Sequence, residues 1–277
     1  MALLYFYRKY IKVACIVNYN KRIDSMNDVN IVQEQCKKYK IPLEIHTVDK
    51  SIYENNKENF QSLARKIRYD FFVQTAKKYD IDTIITAHHI DDFLETAYMQ
   101  KVKKSKALFY GIQKHSSYQN INIYRPFLFE FRKNTLQRMC DEYKIPYAID
   151  SSNSSDIYER NRVRKIIQSW DLDTTYNFKK EIFKYNKQNK KLLNQNNQIF
   201  KKFKINNFAI ELYHKLDKVH KYYLIYNYLS YLNKVNKNSD KINAIIDFLD
   251  SNSEKTFRID EHSYICIRKH KLVYKEN

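Results

Sequence analysis

The chain has 277 residues, 43% of them hydrophobic, which suits one large domain or one domain with a smaller appendage. It has no run of about 18 uncharged apolar residues that could span a membrane. The apolar start at residues 1–7 lacks the basic segment of a signal peptide. These features predict a cytoplasmic protein with no membrane partner. The formal net charge of +19 favours a polyanionic partner such as nucleic acid, although an AT-rich coding bias toward Lys, Asn, Ile and Tyr would also raise the charge.

In residues 1–170, short β-branched runs alternate with amphipathic stretches. The pattern predicts strands and helices in this order: a strand at 12–17, a helix at 28–40, a strand at 43–48, a helix at 60–79 and a strand at 82–86. Alternation of this kind indicates an α/β fold, in which a parallel sheet is connected by crossover helices. Ligands of such folds bind beyond the carboxyl ends of the strands.

The pattern of apolar residues changes near residue 171, from alternating strands and helices to long helical stretches. Residues 176–203 predict a long exposed helix, residues 217–232 and 240–249 predict further helices, and the alternation at 256–274 predicts a terminal hairpin or meander. We therefore divide the chain into residues 1–170, a catalytic domain, and residues 171–277, a smaller and mainly helical part.

The four cysteines are scattered and form no C-x-x-C pair; they are Cys15, Cys36, Cys140 and Cys266. Their spacing does not indicate a zinc site, a cluster or a disulfide framework, so buried thiols are the expected outcome.

Residues 86–96 carry the densest group of chemically active side chains. They follow a predicted strand and open a helix, and they include His88, His89, Asp91, Asp92 and Glu95. Asp91 and Glu95 share a helix face at i,i+4, and Asp92 and Glu95 are neighbours at i,i+3. Carboxylates placed in this way can hold Mg²⁺ against a nucleotide or bind an amine. The structural alternative is a capping box, Asp92-x-x-Glu95.

Residues 153–165 form a cationic stretch at a predicted helix start, with polar residues interleaved: Asp156, Tyr158, Arg160, Asn161, Arg162, Arg164 and Lys165. This mixture suits contact with a phosphate and a base, whereas a bare basic run indicates a solvated face. Arg65 and Arg68, by spacing alone, predict an ordinary helix surface. Arg125-Pro126 predicts the start of an extended strand.

Five motifs occur in an order that resembles tRNA(Ile)-lysidine synthetases: VNYNKR, ARKIRYDFF, AHHIDDFLET, YGI followed by RPFL, and DSSNSSDIYERNRVRK. The resemblance covers residues 1–170. It implies a Rossmann-like parallel sheet of the N-type ATP pyrophosphatase kind, followed by a smaller helical part that ends in a β-hairpin and contacts tRNA.

The resemblance also implies a reaction. In that family, the C2 oxygen of the first anticodon cytidine of tRNA(Ile) with a CAU anticodon attacks the α-phosphate of ATP, and pyrophosphate leaves. The ε-amine of L-lysine then displaces AMP, and the codon read changes from AUG to AUA.

Roles follow by matching motif positions. Asp92 and Glu95 are expected to handle Mg²⁺ or lysine, with Asp92 as the metal ligand, and His88 to line the nucleotide site. Arg160 or Arg162 would position lysine or cytidine. The remaining expectations are nucleotide contacts for His89, Asp91, Arg65 and Arg68, and tRNA contacts for Arg160, Asn161, Arg164 and Lys165.

The sequence departs from the family in one respect, because the SGGxDS loop that cradles the ATP pyrophosphate does not occur in it. Residues 1–6 resemble the segment that follows that loop in relatives. We therefore expect the printed chain to begin at an internal methionine, without the first strand, and to bind ATP unproductively. Two alternatives stay open, namely a thiolating tRNA modifier of the same superfamily and a tRNA-binding remnant without catalysis. A homodimer is a candidate oligomeric state.

Overall fold

The computed structural model describes residues 1–21, 24–54, 60–148, 159–232, 234, 238–251 and 256–276. In its first part, helices and strands follow one another as α1 (Ala2–Tyr7), β1 (Ala14–Asn18), α2 (Ser25–Tyr39), β2 (Leu43–Thr47), α3 (Ser51–Glu54), α4 (Phe60–Lys78), β3 (Thr83–Ile85), α5 (Ile90–Val102), β4 (His115–Tyr118), β5 (Ile121–Tyr124), α6 (Lys133–Glu142) and α7 (Glu159–Gln168). The predicted α/β fold is confirmed, and the three predicted strands shift only at their ends.

The strands of this part pair mainly in parallel. β1 pairs with β2 from Ala14↔Leu43 to Asn18↔Thr47. β3 pairs with β5 in parallel, and β4 pairs with β5 antiparallel. Within the described residues these strands form two sheets, in the orders β1-β2 and β3-β5-β4. In a parallel sheet, ligands bind beyond the carboxyl ends of the strands. We therefore expect the ligand site among the segments that follow β1 and β3.

Local sequence explains the bounds of α2. Val29 and Cys36 bury one stripe of the helix. The helix ends because Lys40 adopts the left-handed conformation at φ 55°, and its N–H donates to the last carbonyl groups. Pro42, two residues after Lys40, cannot donate a backbone hydrogen bond, so the chain leaves the helix and enters β2 at Leu43.

The apolar segment at the start of the chain is a core helix. Ala2 is buried against Phe127 and Cys140, and Leu4 is buried against Cys36. A fully buried side chain of the size of leucine contributes about 1.5–3 kcal/mol.

Helices α5 and α7 pack against each other through a buried cluster. Phe93, Leu94 and Ala97 of α5 contact Val163 and Ile167 of α7. Phe93 and Leu94 have no exposed surface. Because this contact buries one face of each helix, it fixes their rotation and sets the direction of the polar residues on the adjoining faces.

The second part contains α8 (Leu172–Ile205), α9 (Ile210–His214), α10 (Lys218–Tyr231), α11 (Ser239–Asp250) and the antiparallel sheet β6-β7-β8 (Thr256–Asp260, Ser263–Arg268 and Lys271–Glu276). Its core joins α10 and α11 to the sheet through residues that include Leu224, Leu229, Ile242 and Ile265. The chain divides into two compact units, residues 1–184 and 185–277. The predicted boundary at 170 lies just before α8, whereas the division between the units falls within that helix.

One local prediction is wrong. Arg125-Pro126 does not begin a strand, because β5 ends at Tyr124 and the residues that follow Arg125 form turns. Proline fits this end because it has no N–H to extend the ladder. Among the described residues, no helix is long and apolar enough to span a membrane.

Candidate active site

The segment after β3 brings polar side chains to the end of the sheet. The N–H of Thr86 donates to the carbonyl of Tyr124, which extends the pairing of β3 with β5 by one residue. The hydroxyl of Thr86 lies 2.8 Å from Nδ1 of His88. His89, in an extended conformation, is the N-cap of α5. The first turn of α5, which carries Asp91 and Asp92, therefore begins at the carboxyl edge of the strands.

Glu95 is the most buried carboxylate of this region, with only 1% of the residue exposed. Nε of Arg160 donates to Oε2 of Glu95 at 2.9 Å, and Nε of Arg164 donates to Oε1 at 2.9 Å. Arg160 and Arg164 are one turn apart on α7, so both reach the same carboxylate on α5. A buried ion pair is stable only when its hydrogen bonds are satisfied, and here both carboxylate oxygens accept one.

Asp92 caps the N-terminus of α5 and also contacts α7. Its Oδ2 accepts a hydrogen bond from the N–H of His89 at 2.9 Å, as in a capping box. Its Oδ1 lies 3.3 Å from Nη2 of Arg160. The structural and the functional interpretations of this residue are therefore compatible, since one oxygen caps the helix and the other shares an arginine with Glu95.

Asp91 points toward α6. Its Oδ2 accepts the N–H of Lys133 at 2.8 Å and lies 3.4 Å from Nδ1 of His89, and its Oδ1 lies 3.7 Å from Nη1 of Arg132. Burial alone would raise the pKa of Asp91, but the adjacent His89 ring, the hydrogen bond from the N–H of Lys133 and the charge of Arg132 lower the pKa below its usual value. Asp91 is therefore a carboxylate anion at neutral pH.

A cavity of about 450 Å³ opens between α5, α6 and α7. Acidic and basic groups line it together: His89, Asp91, Glu95, Arg132, Lys133, Asn134, Gln137, Arg164, Ile167 and Gln168. Its volume lies within the roughly 300–1,000 Å³ of small-molecule sites. A lining with both signs of charge suits a small ligand that carries both an ammonium and a carboxylate group.

His88 lies in a basic environment. Burial lowers the pKa of His88 to about 4, and Asp92 acts in the opposite direction. The charges of three arginines reinforce the effect of burial: Arg125, Arg65 and Arg68. The imidazole is therefore neutral at pH 7 and can donate or accept one hydrogen bond without adding charge.

Arg125 is a buried cation, only 3% exposed. Its Nη1 donates to the carbonyl of Gln113 at 2.8 Å and to the hydroxyl of Ser116 at 2.9 Å, and Nη2 lies 3.5 Å from the hydroxyl of Tyr69. The guanidinium of Arg65 lies 4.6 Å from the centre of the Tyr69 ring. Tyr69 thus contacts two arginines, and Arg65, which lies on the exposed surface of α4 as its spacing predicts, also stacks on an aromatic ring.

The structure brings together some of the predicted residues and separates others. Asp92, Glu95 and Arg160 converge, and Asp91 lines the same cavity as Glu95. Arg162 is exposed, and it is Arg160 and Arg164 that hold Glu95. Lys165 is exposed. Residues 149–158, which include Asp156 and Tyr158, lie outside the described residues.

Several side chains of the site are not identified by sequence reasoning. The motif match assigns Arg164 to tRNA, but this residue holds Glu95, and its i,i+4 spacing from Arg160 is the signal that could have indicated this. Arg132, Lys133 and Gln137 line the cavity, but they follow a turn and no motif marks them.

The described residues offer no obvious centre for metal or sulfur chemistry. Among them, no group of three or more His, Cys, Asp or Glu side chains is arranged to hold a metal ion. All four cysteines are free thiols. Cys36 and Cys140 lie in different core clusters, and burial raises the pKa of Cys15 to about 11, so that its thiol is unreactive.

Comparisons with known proteins agree on one family. A family model described as a PP-loop domain matches residues 1–170. The tRNA(Ile)-lysidine synthase of Ureaplasma parvum serovar 3 is 45% identical over 99% of this chain and 83% of that protein. The protein of the same name from Mycoplasma genitalium is 37% identical over 97% of this chain and 91% of that protein.

A solved structure is similar in fold. The U34-tRNA thiolase NcsA from Methanococcus maripaludis, with its 4Fe-4S cluster, matches 70% of this chain and 68% of that chain, with a TM-score of 0.54. The sequence identity is 14%, so the likeness concerns the fold alone.

Proposed function

The chain belongs to the tRNA(Ile)-lysidine synthase family, and we propose that it ligates L-lysine to the first anticodon cytidine of tRNA(Ile) with a CAU anticodon. The C2 oxygen of the cytidine attacks the α-phosphate of ATP, and pyrophosphate leaves. The ε-nitrogen of lysine then bonds to C2, the C2–O bond breaks, AMP leaves, and the amine releases a proton. The product reads AUA instead of AUG. We assign this activity to the cytoplasm.

The mixed-charge cavity beside Asp91 and Glu95 is the observation that carries the proposal. A lysine side chain ends in an ammonium, which an ionised carboxylate binds strongly when water is largely excluded. Asp91 supplies such a carboxylate, because its pKa is lowered and its side chain is only 14% exposed. Glu95 is already neutralised by Arg160 and Arg164, so we assign the ammonium to Asp91 and a positioning role to Glu95.

The opposite charge in the same cavity supports the choice of an amino acid over a simple amine. Arg132 and Lys133 line the cavity next to Asp91, and Gln137 follows one turn later on α6. A cationic pair can bind the α-carboxylate of lysine while Asp91 binds an ammonium.

We assign the nucleotide to the basic side of the sheet end, near His88, Arg65 and Arg68. A neutral His88 can accept or donate a hydrogen bond to a phosphate without repelling the arginines. The two arginines offset phosphate charge, and buried Arg125 adds to the positive potential there.

Mg²⁺ fits the described carboxylates poorly. Both oxygens of Asp92 are engaged, one by the N–H of His89 and one by Arg160. A Mg²⁺ ion that enters with nucleotide phosphates needs only one or two protein carboxylates and would offset phosphate charge. The metal role of Asp92 stays a prediction, and no step here depends on it.

For the tRNA, we assign the face of α7 that carries Lys165, which is exposed, together with Arg162. Arg160 and Arg164 hold Glu95 instead, which removes them from direct phosphate contact. The basic stretch thus has two faces: Arg160 and Arg164 position Glu95, and Arg162 and Lys165 are assigned to RNA.

The rival enzymatic function, thiolation, depends on reactive sulfur. The cysteines are free thiols, three of them buried, and Cys15 has a raised pKa. Sulfur relay needs an accessible thiolate, so these thiols favour ligation over thiolation.

Transfer of labelled L-lysine to a tRNA(Ile) transcript tests the proposed reaction. We expect label in the tRNA only with ATP and only with cytidine at the first anticodon position; a transcript with uridine there is the matched control. Thiolated product, or tRNA binding without lysine transfer, would overturn the proposal.

Lysine binding by calorimetry tests the site separately from ATP. Asp91→Asn keeps the acceptor for the N–H of Lys133 but removes the charge, so we expect lysine to bind at least about tenfold more weakly. Asp173→Asn, at an exposed position in the first turn of α8, is the control. Equal affinities for all three proteins would mean that Asp91 does not bind the ammonium.

A further inference from the structure

The hydroxyl of Thr175 holds one wall of the mixed-charge cavity from behind. Nη2 of Arg132 donates to Oγ1 of Thr175 at 2.7 Å, and Nη1 of Arg132 lies 3.7 Å from Oδ1 of Asp91. Arg132 lines the cavity, whereas Thr175 lies in the first turn of α8 and is not among the lining residues. Thr175 belongs to none of the sequence motifs and is not among the residues assigned to chemistry above.

The backbone is fixed on both sides of this contact. Arg132 is the N-cap of α6, and the N–H of the next residue donates to Oδ2 of Asp91 at 2.8 Å. On α8, the N–H of Thr175 donates to the carbonyl of Asp171 at 3.1 Å. Three residues after Thr175, Phe178 packs against the cluster that α5 and α7 bury. The guanidinium and the hydroxyl are therefore brought together by the packing of the elements that carry them.

A hydroxyl orients an arginine without neutralising it. Arg160 and Arg164 each lie 2.9 Å from an oxygen of Glu95, so that carboxylate offsets their charge. Arg132 is held by the neutral Thr175, and its carboxylate contact is longer, at 3.7 Å. A guanidinium has five N–H donors, and within the part of the chain that the structure describes the Arg132 side chain makes no further hydrogen bond or ion pair. Arg132 therefore keeps both charge and donors for an anion in the cavity.

The α-carboxylate of an amino acid is the anion that fits this cavity. Two carboxylates, Asp91 and Glu95, line it together with Arg132. Their negative charge disfavours a phosphate chain, whereas an amino acid brings an ammonium as well as a carboxylate. A guanidinium offers a carboxylate two parallel N–H donors, a geometry that the point charge of an ammonium such as that of Lys133 does not provide. A guanidinium held in one orientation also loses less entropy when a ligand binds.

We propose that Thr175 is a positioning residue that makes the cavity select an α-amino acid over a simple amine, because it holds Arg132 where the α-carboxylate of lysine binds. This role rests on the proposed function for the choice of lysine. Asp91 binds the ammonium and would accept an amine without a carboxylate equally well. Selection of the amino acid therefore depends on the orientation of Arg132, and loss of the Thr175 hydroxyl impairs recognition of the carboxylate alone.

Calorimetry with two ligands, L-lysine and L-lysinamide, tests this role on the full chain without ATP. L-Lysinamide keeps the side chain and both amino groups of L-lysine but replaces the carboxylate with a neutral amide. Valine has nearly the shape of threonine, so we expect Thr175→Val to fold and to bind L-lysine about tenfold more weakly. L-Lysinamide should bind to the same variant within about twofold of its affinity for the unchanged protein. Thr175→Ser keeps the hydroxyl and should bind both ligands as the unchanged protein does.

Thr174→Val is the matched control, since it removes a hydroxyl from the exposed neighbouring position of α8, and it should leave both affinities unchanged. Equal weakening of L-lysine and L-lysinamide in Thr175→Val would show a structural role only, and an unchanged affinity for L-lysine would show no role; either result overturns the proposal. So does a Thr175→Ser variant that binds L-lysine as weakly as Thr175→Val. Absence of lysine binding by the unchanged protein would overturn this role together with the proposed site, whereas selective binding without lysine transfer would count against the proposed reaction alone.

Discussion

Glu95 shows how far a single carboxylate determines the candidate site. Removing its charge takes away the anion that Arg160 and Arg164 share in a partly buried position. We expect Glu95→Gln to lower the free energy of unfolding by about 3 kcal/mol or more, since breaking a buried pair costs about 3–5 kcal/mol. Urea unfolding of the variant and of the unchanged protein measures the difference.

An exposed pair provides the control for that substitution. Glu181 lies 2.6 Å from Lys101 with both side chains about half exposed (55% and 46%). Glu181→Gln should change the free energy of unfolding by less than about 1 kcal/mol, because water screens such pairs. Similar effects of the two substitutions would show that Glu95 is not the anchor of α7.

His88 predicts a pH dependence of stability. Its folded pKa of about 4 lies below the ordinary value of 6.5, so the unfolded chain takes up a proton first as the pH falls. Stability is therefore lost between pH 6.5 and pH 4, by about 2–3 kcal/mol from this group. Urea unfolding at about pH 7 and about pH 5 should show a smaller pH-dependent loss in His88→Gln than in the unchanged protein. His262→Gln, at an exposed position, should leave the loss unchanged; a full loss in His88→Gln would contradict the assignment.

Residue types and spacing are enough to predict that Asp91, Asp92 and Glu95 meet near the end of a strand. They do not distinguish Arg162 from Arg164. That choice depends on the rotation of α7 about its axis, which the burial of Val163 and Ile167 against α5 decides. The prediction of a strand at Arg125 is wrong, because the sequence does not show that the residue after β5 turns inward.

At the scale of elements, Gly111 controls how the loop after α5 packs on that helix. Gly111 has φ of +88°, and a Cβ at this position would overlap the ring of Phe93. We expect Gly111→Ala to lower the free energy of unfolding by about 2–4 kcal/mol, through unfavourable backbone geometry and displacement of the ring. Thermal and urea unfolding measure the loss.

A double variant isolates the contact with the ring. Phe93→Leu removes the ring atoms that the added methyl group would meet, although it costs stability by itself. Gly111→Ala combined with Phe93→Leu should therefore lose less than the sum of the two single losses. Strict additivity would mean that only the backbone conformation of Gly111 matters.

The elements themselves are predictable where a periodic pattern is long. The helix predicted at 60–79 and that predicted at 240–249 correspond closely to α4 and α11. The hairpin β4–β5 is not predicted, because each strand has only four residues and its pairing with β3 is a tertiary contact. Local patterns do not encode contacts of that range.

At the scale of the whole molecule, the excess of positive charge opposes folding as well as favouring RNA. With 50 Lys and Arg against 31 Asp and Glu, we expect repulsion within the compact state to exceed what the exposed ion pairs recover. Lys101–Glu181 and Lys103–Glu159 have side chains about half exposed, and such pairs contribute at most about 1 kcal/mol each. We therefore expect the positive charge to lower the free energy of unfolding while it raises the affinity for a polyanion.

The dependence of the Tm on salt concentration, measured without RNA, tests whether charge repulsion destabilises the folded protein. Raising NaCl from about 0.01 M to about 0.15 M shortens the Debye length from about 30 Å to about 8 Å and screens the repulsion. We expect the Tm to rise by a few degrees, since about 1 kcal/mol corresponds to roughly 2–4 °C for a chain of this size. Lys187→Gln, Lys190→Gln and Lys191→Gln should flatten the rise, because they remove part of the repulsion that salt screens. A Tm that falls with salt would mean that attractive pairs dominate in the folded state, and the basic surface would then carry no cost that binding to RNA must offset.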